Sequence, residues 1–170
     1  MPLSVGDAHH LLADVSLGRG VRLDNPYRLE TELGKNAESL SLTATYLDLG
    51  IGAAFGLTRT VFHGLSVHGS FAQGGIRQEV VTPSYLVMLR SNPRWALLGR
   101  LGIPVVVEPD VNAGFELSGG ALLYLTAGLG LTASLVGSMF YGAATLDTPR
   151  TAIPVLSLEA GAFFDYEVLP

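Results

Sequence analysis

Apolar side chains recur at every second position along most of this chain, and that period leaves few folds open to it. Trp95, Leu97, Gly99, Leu101, Ile103, Val105 and Val107 make one row, opposed by Ala96, Leu98, Arg100, Gly102, Pro104 and Val106. Phe115, Leu117, Ala121 and Leu123 repeat the pattern, as do Leu131, Ala133 and Leu135, and finally Leu156, Leu158, Ala160, Ala162, Phe164, Tyr166 and Val168. A period of two belongs to a strand with two unlike faces. It divides the chain into eight expected strands, at about 10–22, 39–56, 61–73, 84–90, 95–107, 112–125, 130–143 and 152–168.

Most of these segments reach the roughly 9–11 residues that a strand needs to cross a bilayer. Only 15% of the 170 residues are charged, against about a quarter in ordinary soluble domains. Charge is scarcest in Ser39–Leu57 and Leu117–Ala144. The second tract is long enough for a spanning helix, but Gly119, Gly120, Gly128, Gly130, Gly137 and Gly142 interrupt it, and its period is that of a strand. Connections alternate between short ones (Leu57–Thr60, Ser91–Arg94, Thr126–Leu129) and longer polar ones (Gly20–Glu38, Gly74–Pro83, Ala144–Thr151), with Glu108–Val111 the short exception. The expectation is an all-β, up-and-down, antiparallel transmembrane barrel of eight strands. It forms a single domain over residues 1–170, with both termini and the short turns at one end. Lipid imposes closure, because each unpaired backbone group there costs several kcal/mol.

Two stretches depart from the pattern. Leu40, Leu42, Ala44 and Tyr46 are out of phase with Leu47, Leu49, Ile51, Ala53 and Phe55, which calls for a bulge near Tyr46. Pro83 interrupts residues 76–90, so the strand there is expected to begin only at Ser84, with Tyr85, Val87 and Leu89 outward.

The hairpins Gly50-Ile-Gly-Ala-Ala-Phe-Gly-Leu-Thr-Arg-Thr-Val and Ala121-Leu-Leu-Tyr-Leu-Thr-Ala-Gly-Leu-Gly-Leu-Thr resemble the periplasmic hairpins of small eight-stranded bacterial outer-membrane β-barrel proteins. The likeness extends over nearly the whole chain, although its end, Phe163-Phe-Asp-Tyr-Glu-Val-Leu-Pro, lacks the terminal aromatic usual in such proteins. The resemblance implies residence in the outer membrane of a Gram-negative bacterium. The partners it implies are membrane lipids, lipopolysaccharide and the outer-membrane assembly machinery. The first residues carry no signal peptide, so on this reading the chain is a mature form. Trp95 and Tyr166, with Tyr27, Tyr85 and Tyr141, are the candidate interfacial aromatics.

The inward face carries Asp14, Asp48, His68, Arg90, Arg100, Glu116, Glu159, Asp165 and Glu167 among small residues. An eight-stranded bore is filled by side chains, so these charges must pair. Arg100 with Glu116 and Glu159 is the expected centre of a lumen cluster that also takes in Asp48 and Asp165. Such a cluster is structural in the first instance; a path through it would favour cations.

His68 and Ser70, with Glu79 beyond the hairpin, resemble the His-x-Ser and following Glu of outer-membrane lipid A deacylases, which makes a lipid hydrolase the alternative function. The alternation turns His68 and Ser70 inward, away from lipid, and so favours a non-enzymatic role: structural, adhesive or narrowly permeating. A third possibility is a soluble lipocalin-like carrier, with the Leu rows inside; the sparse charge on the opposite rows disfavours it. His9 and His10 with Asp7 could hold a metal, but neighbouring strand residues diverge, and no metal or cofactor is expected. Without cysteine there is no thiolate chemistry. A net charge of −5 excludes a strongly basic nucleic-acid binder. Gly18-Arg-Gly20, Gly34-Lys35 and Gly74-Gly75 lack the strand–loop–helix setting of a phosphate site. The loop Asp24–Glu38 is expected to face outward as a solvated loop.

Overall fold

The computed structural model describes residues 9–23, 40–56, 60–75, 77–108, 111–143 and 151–168. Eight strands follow one another: β1 (His9–Arg22), β2 (Ser41–Leu42, resuming as Tyr46–Gly56), β3 (Val61–Ala72), β4 (Glu79–Asn92), β5 (Trp95–Gly102, resuming as Val105–Glu108), β6 (Asn112–Tyr124), β7 (Leu129–Ala143) and β8 (Thr151–Val168). Each pairs antiparallel with its sequence neighbour, and β1 also pairs with β8 from His9↔Val168 to Arg22↔Val155. The sheet is therefore a closed, up-and-down barrel.

Strand tilt follows from the register. A row of paired residues leaves β1 at Arg19 and runs through Leu158, Leu135, Gly119, Gly99, Val87, His63 and Phe55. It returns to β1 at His9, ten residues lower. With a rise of about 3.3 Å per residue and strands about 4.8 Å apart, that shear corresponds to a tilt of about 41° and a backbone radius of about 8 Å. A bore this narrow is closed by its own side chains.

Both irregular stretches resolve into interrupted pairing. The phase change expected near Tyr46 lies at Thr43–Thr45, between the two pieces of β2. Thr43 keeps the ladder joined there: its amide donates to the Gly20 carbonyl (2.9 Å) and its hydroxyl accepts from the Gly20 amide (2.8 Å). The expectation that a strand begins at Ser84 is corrected, since β4 starts at Glu79 and Pro83 lies within it, opposite Val67. The Pro83 carbonyl accepts from the Ile103 amide (3.1 Å), so the position of its missing donor also faces β5. That is where β5 is itself interrupted, at Ile103–Pro104, and no ladder bond is lost.

The two faces differ as alternation requires. Leu97, Leu101, Leu117, Leu123, Leu131, Leu158 and Phe164 are exposed on the outer wall. Inside, side chains stack in layers along the axis. At the short-turn end is an apolar layer of Ala54, Phe62, Leu86, Met88, Ala96, Leu122, Tyr124 and Phe163, with Leu12 and Leu98 against it. A layer of charges occupies the middle. Toward the long-loop end the bore widens into an open cup.

Candidate functional site: the charged lumen layer and the cup above it

The middle layer draws one or two residues from most strands, each delivered inward by the two-residue period: Asp14 from β1, Asp48 from β2, His68 and Ser70 from β3, Arg100 from β5, Glu116 from β6 and Glu159 from β8. Gly50 makes room for it. A Cβ at that position would lie 2.2 Å from Asp14 Oδ1 and 2.3 Å from His68 Cε1, so only glycine lets the β1 carboxylate and the β3 imidazole meet across β2.

Arg100 is the hub. Its Nη2 donates to Glu159 Oε2 (3.4 Å), its Nε to Ser118 Oγ (2.9 Å), and its Nη1 to His68 Nε2 (2.5 Å). An imidazole nitrogen that accepts from a guanidinium leaves the proton on the other nitrogen, and His68 Nδ1 donates to Asp48 Oδ1 (2.9 Å). Asp48 Oδ2 accepts from the Ser70 hydroxyl (2.6 Å), and Glu159 Oε1 from Tyr46 (3.0 Å). Burial of Asp48, His68, Arg100 and Glu159 makes these bonds necessary, because a buried charge without partners is costly.

The expected pairing of Arg100 with Glu159 is present. Glu116, expected beside them, instead accepts from Ser138 (3.0 Å). Asp165 is a correction: it lies at the short-turn end, where His10 Nδ1 (2.7 Å), the Tyr124 hydroxyl (2.7 Å) and Arg90 Nη1 (3.5 Å) surround it. Arg90 also lies over the Tyr124 ring, 4.3 Å from its centre. The lumen thus holds two polar groups rather than one, separated by Leu12, Leu86, Leu98, Leu122 and Phe163. A void of about 30 Å³ remains between the charges and this apolar layer, room for about one water.

His68 and Ser70 face inward, as alternation requires, but they make no catalytic pair with each other. Ser70 donates to Asp48, and both His68 nitrogens are engaged. Glu79 accepts from Arg77 Nε and Nη2 (3.0 and 2.6 Å) and joins neither. Among the described residues one group has ligand atoms close enough for a metal, Asp14, Asp48 and His68, within 4.8 Å of one another. The donor set does not fit a metal ion, since Arg100 already supplies the positive charge and occupies His68. His9 and His10 diverge: His9 is exposed, with its ring 5.1 Å from that of Phe55, while His10 is buried against Asp165. Asp7, Tyr27 and the loop Asp24–Glu38 lie outside the described residues.

Above the charges, the cup measures about 470 Å³. Val80, Val106, Val136, Phe140, Ile153 and Val155 form its walls, and Tyr46, Ser70, Glu116 and Glu159 reach it from below. Sequence reading had no access to this cup, because its members come from all eight strands and meet only through the register. Of the outer-wall aromatics, Trp95 and Tyr166 lie at the short-turn end and Tyr141 at the opposite end, all exposed. Tyr85 is a correction: with β4 beginning at Glu79 it falls in mid-strand, opposite Leu65 and Leu101, and bonds His63 (3.1 Å).

No protein-family model matches the sequence, and neither does any curated protein. Solved structures do share the fold. Ail, the attachment invasion locus protein of Yersinia pestis, superposes with a TM-score of 0.55 at 12% identity, over 91% of this chain and 98% of Ail. Neisserial surface protein A gives 0.54 at 12%, over 94% and 99% of the two chains. The N-terminal β-barrel domain of Pseudomonas aeruginosa OprF gives 0.52 at 13%, over 91% and 97%. The chain thus has the fold of small eight-stranded outer-membrane barrels.

Proposed function

We propose that this chain is an integral protein of a bacterial outer membrane, in contact with lipid and lipopolysaccharide through its outer wall. Its work is structural or surface-binding, performed by a lumen closed to through-flow and without catalysis. The observation that carries this reading is the inversion of the barrel: Leu and Phe outside, charge inside, with no sheet edge. In water such a wall would aggregate; acyl chains solvate it.

Closure of the lumen rests on the apolar layer from Leu12 to Phe163 beneath the Arg100 network. Ail has been solved with the heparin analogue sucrose octasulfate, but a polyanion is a poor fit to this chain. Its net charge is −5, and Arg77 at the long-loop end is already bound by Glu79 and Glu108. The proposal is tested by purifying the protein in detergent. A heat-dependent gel shift together with no stable conductance steps in planar bilayers is the expected result. Sustained single-channel currents would overturn the sealed lumen, and solubility without detergent would overturn the membrane assignment.

A further inference from the structure

We infer that the cup is a binding site for a small amphipathic organic cation, a protonated amine on an aliphatic or aromatic body. Three properties of the cup lead there. Its volume, about 470 Å³, lies within the range of small-molecule pockets, roughly 300–1,000 Å³. Its walls, Val80, Val106, Val136, Phe140, Ile153 and Val155, offer apolar surface on most sides. Its floor is acidic. Asp14, Asp48, Glu116 and Glu159 occupy the layer at and below it, and the guanidinium of Arg100 is the fixed cation among them.

Arg100 reaches Glu159 directly, whereas Glu116 accepts a hydrogen bond from the Ser138 hydroxyl and meets no side-chain cation among the described residues. A carboxylate at the foot of an apolar well favours a ligand that brings its own positive charge and ends in hydrocarbon, since such a ligand replaces lost water at both places. A neutral isostere would bring no charge to Glu116, and an anion would add to the repulsion. Arg22, which also lines the cup, sits on β1 at its last residue, toward the rim, and leaves the floor's charge in excess. Beneath the floor the apolar layer blocks the bore, so the ligand enters and leaves by the same mouth.

The test uses the full chain folded in nonionic detergent, with valine and isoleucine methyls labelled for NMR. Phenethylammonium is titrated against neutral 2-phenylethanol and anionic phenylacetate. Saturable shifts of Val80, Val106, Val136 and Ile153 methyls are expected with the ammonium, at least tenfold weaker binding with the alcohol, and none with the acid. Glu116→Gln, whose fold is checked by the gel shift, is expected to weaken phenethylammonium about tenfold and leave the alcohol unchanged. Val136→Trp, which fills the cup from its wall, should abolish both. Equal affinity for the ammonium and the alcohol, no saturable shift, or an unchanged Glu116→Gln would each overturn the inference. The readout needs neither a bilayer nor conductance, so its failure is distinct from failure of the sealed-barrel reading on which the single mouth rests.

Discussion

Arginine placed at two depths on the outer face of β5 gives a quantitative test of the barrel's orientation toward lipid. Leu101 and Val107 are both outward and similarly exposed, 46% and 48%, so in a water-soluble protein the two substitutions would cost about the same, within about 0.5 kcal/mol of neutral. In a bilayer their depths differ. At about 3.3 Å per residue and a tilt of about 41°, the strand climbs about 2.5 Å along the membrane normal per residue. Taking Trp95, at the short-turn end of the strand, as the lower interface, Leu101 stands about 15 Å above it, close to the centre of an apolar band about 25 Å tall, and Val107 about 30 Å above, beyond the band. Leu101→Arg is therefore expected to cost about 2–4 kcal/mol and Val107→Arg about 0–1 kcal/mol. Equilibrium guanidinium unfolding from phospholipid vesicles reads both, with Trp95, the only tryptophan in the sequence, as the fluorescent reporter. Equal costs at the two sites would refute the lipid-facing wall.

Three further outcomes are expected from the interior. Arg100→Met leaves Glu159 buried without its cation, so unfolding in the same vesicles should show a loss of about 3–5 kcal/mol, and a loss below 1 kcal/mol would remove Arg100 as the hub. Gly64→Val should yield no heat-shifted folded band on gels, because a Cβ there would stand 1.8 Å from the Ala53 carbonyl oxygen, which is backbone; a normal band would show that the β2–β3 spacing is wrong. Phe163→Ala with Leu86→Ala thins the apolar layer, and planar-bilayer recordings should show brief conductance steps that the parent lacks. Silence in both proteins would mean that the Arg100 network alone closes the bore.

The strands, their inward and outward rows and the presence of charge inside were all legible in the sequence, since the two-residue period is a property of each strand on its own. Arg100 with Glu159 was legible too, as an arginine and an acid on inward rows that had to pair inside a filled bore. Asp165 was misplaced because inward direction carries no depth: on β8 it lies six residues from Glu159, about 15 Å along the normal, and so it meets His10 and Tyr124 instead. Tyr85 was misplaced because Pro83 read as a strand start, and only the matching interruption in β5 shows why a proline is tolerated there.

Alternation by itself determined the class of fold and which side of each strand is apolar, because steric preference along one strand sets both. The shear of ten was decided by the closed sheet, and with it which inward groups share a level, how the charges sort into two groups, and that a cup opens above one of them. Register is a relation between strands, fixed by the packing of all eight at once, and no single strand's sequence contains it.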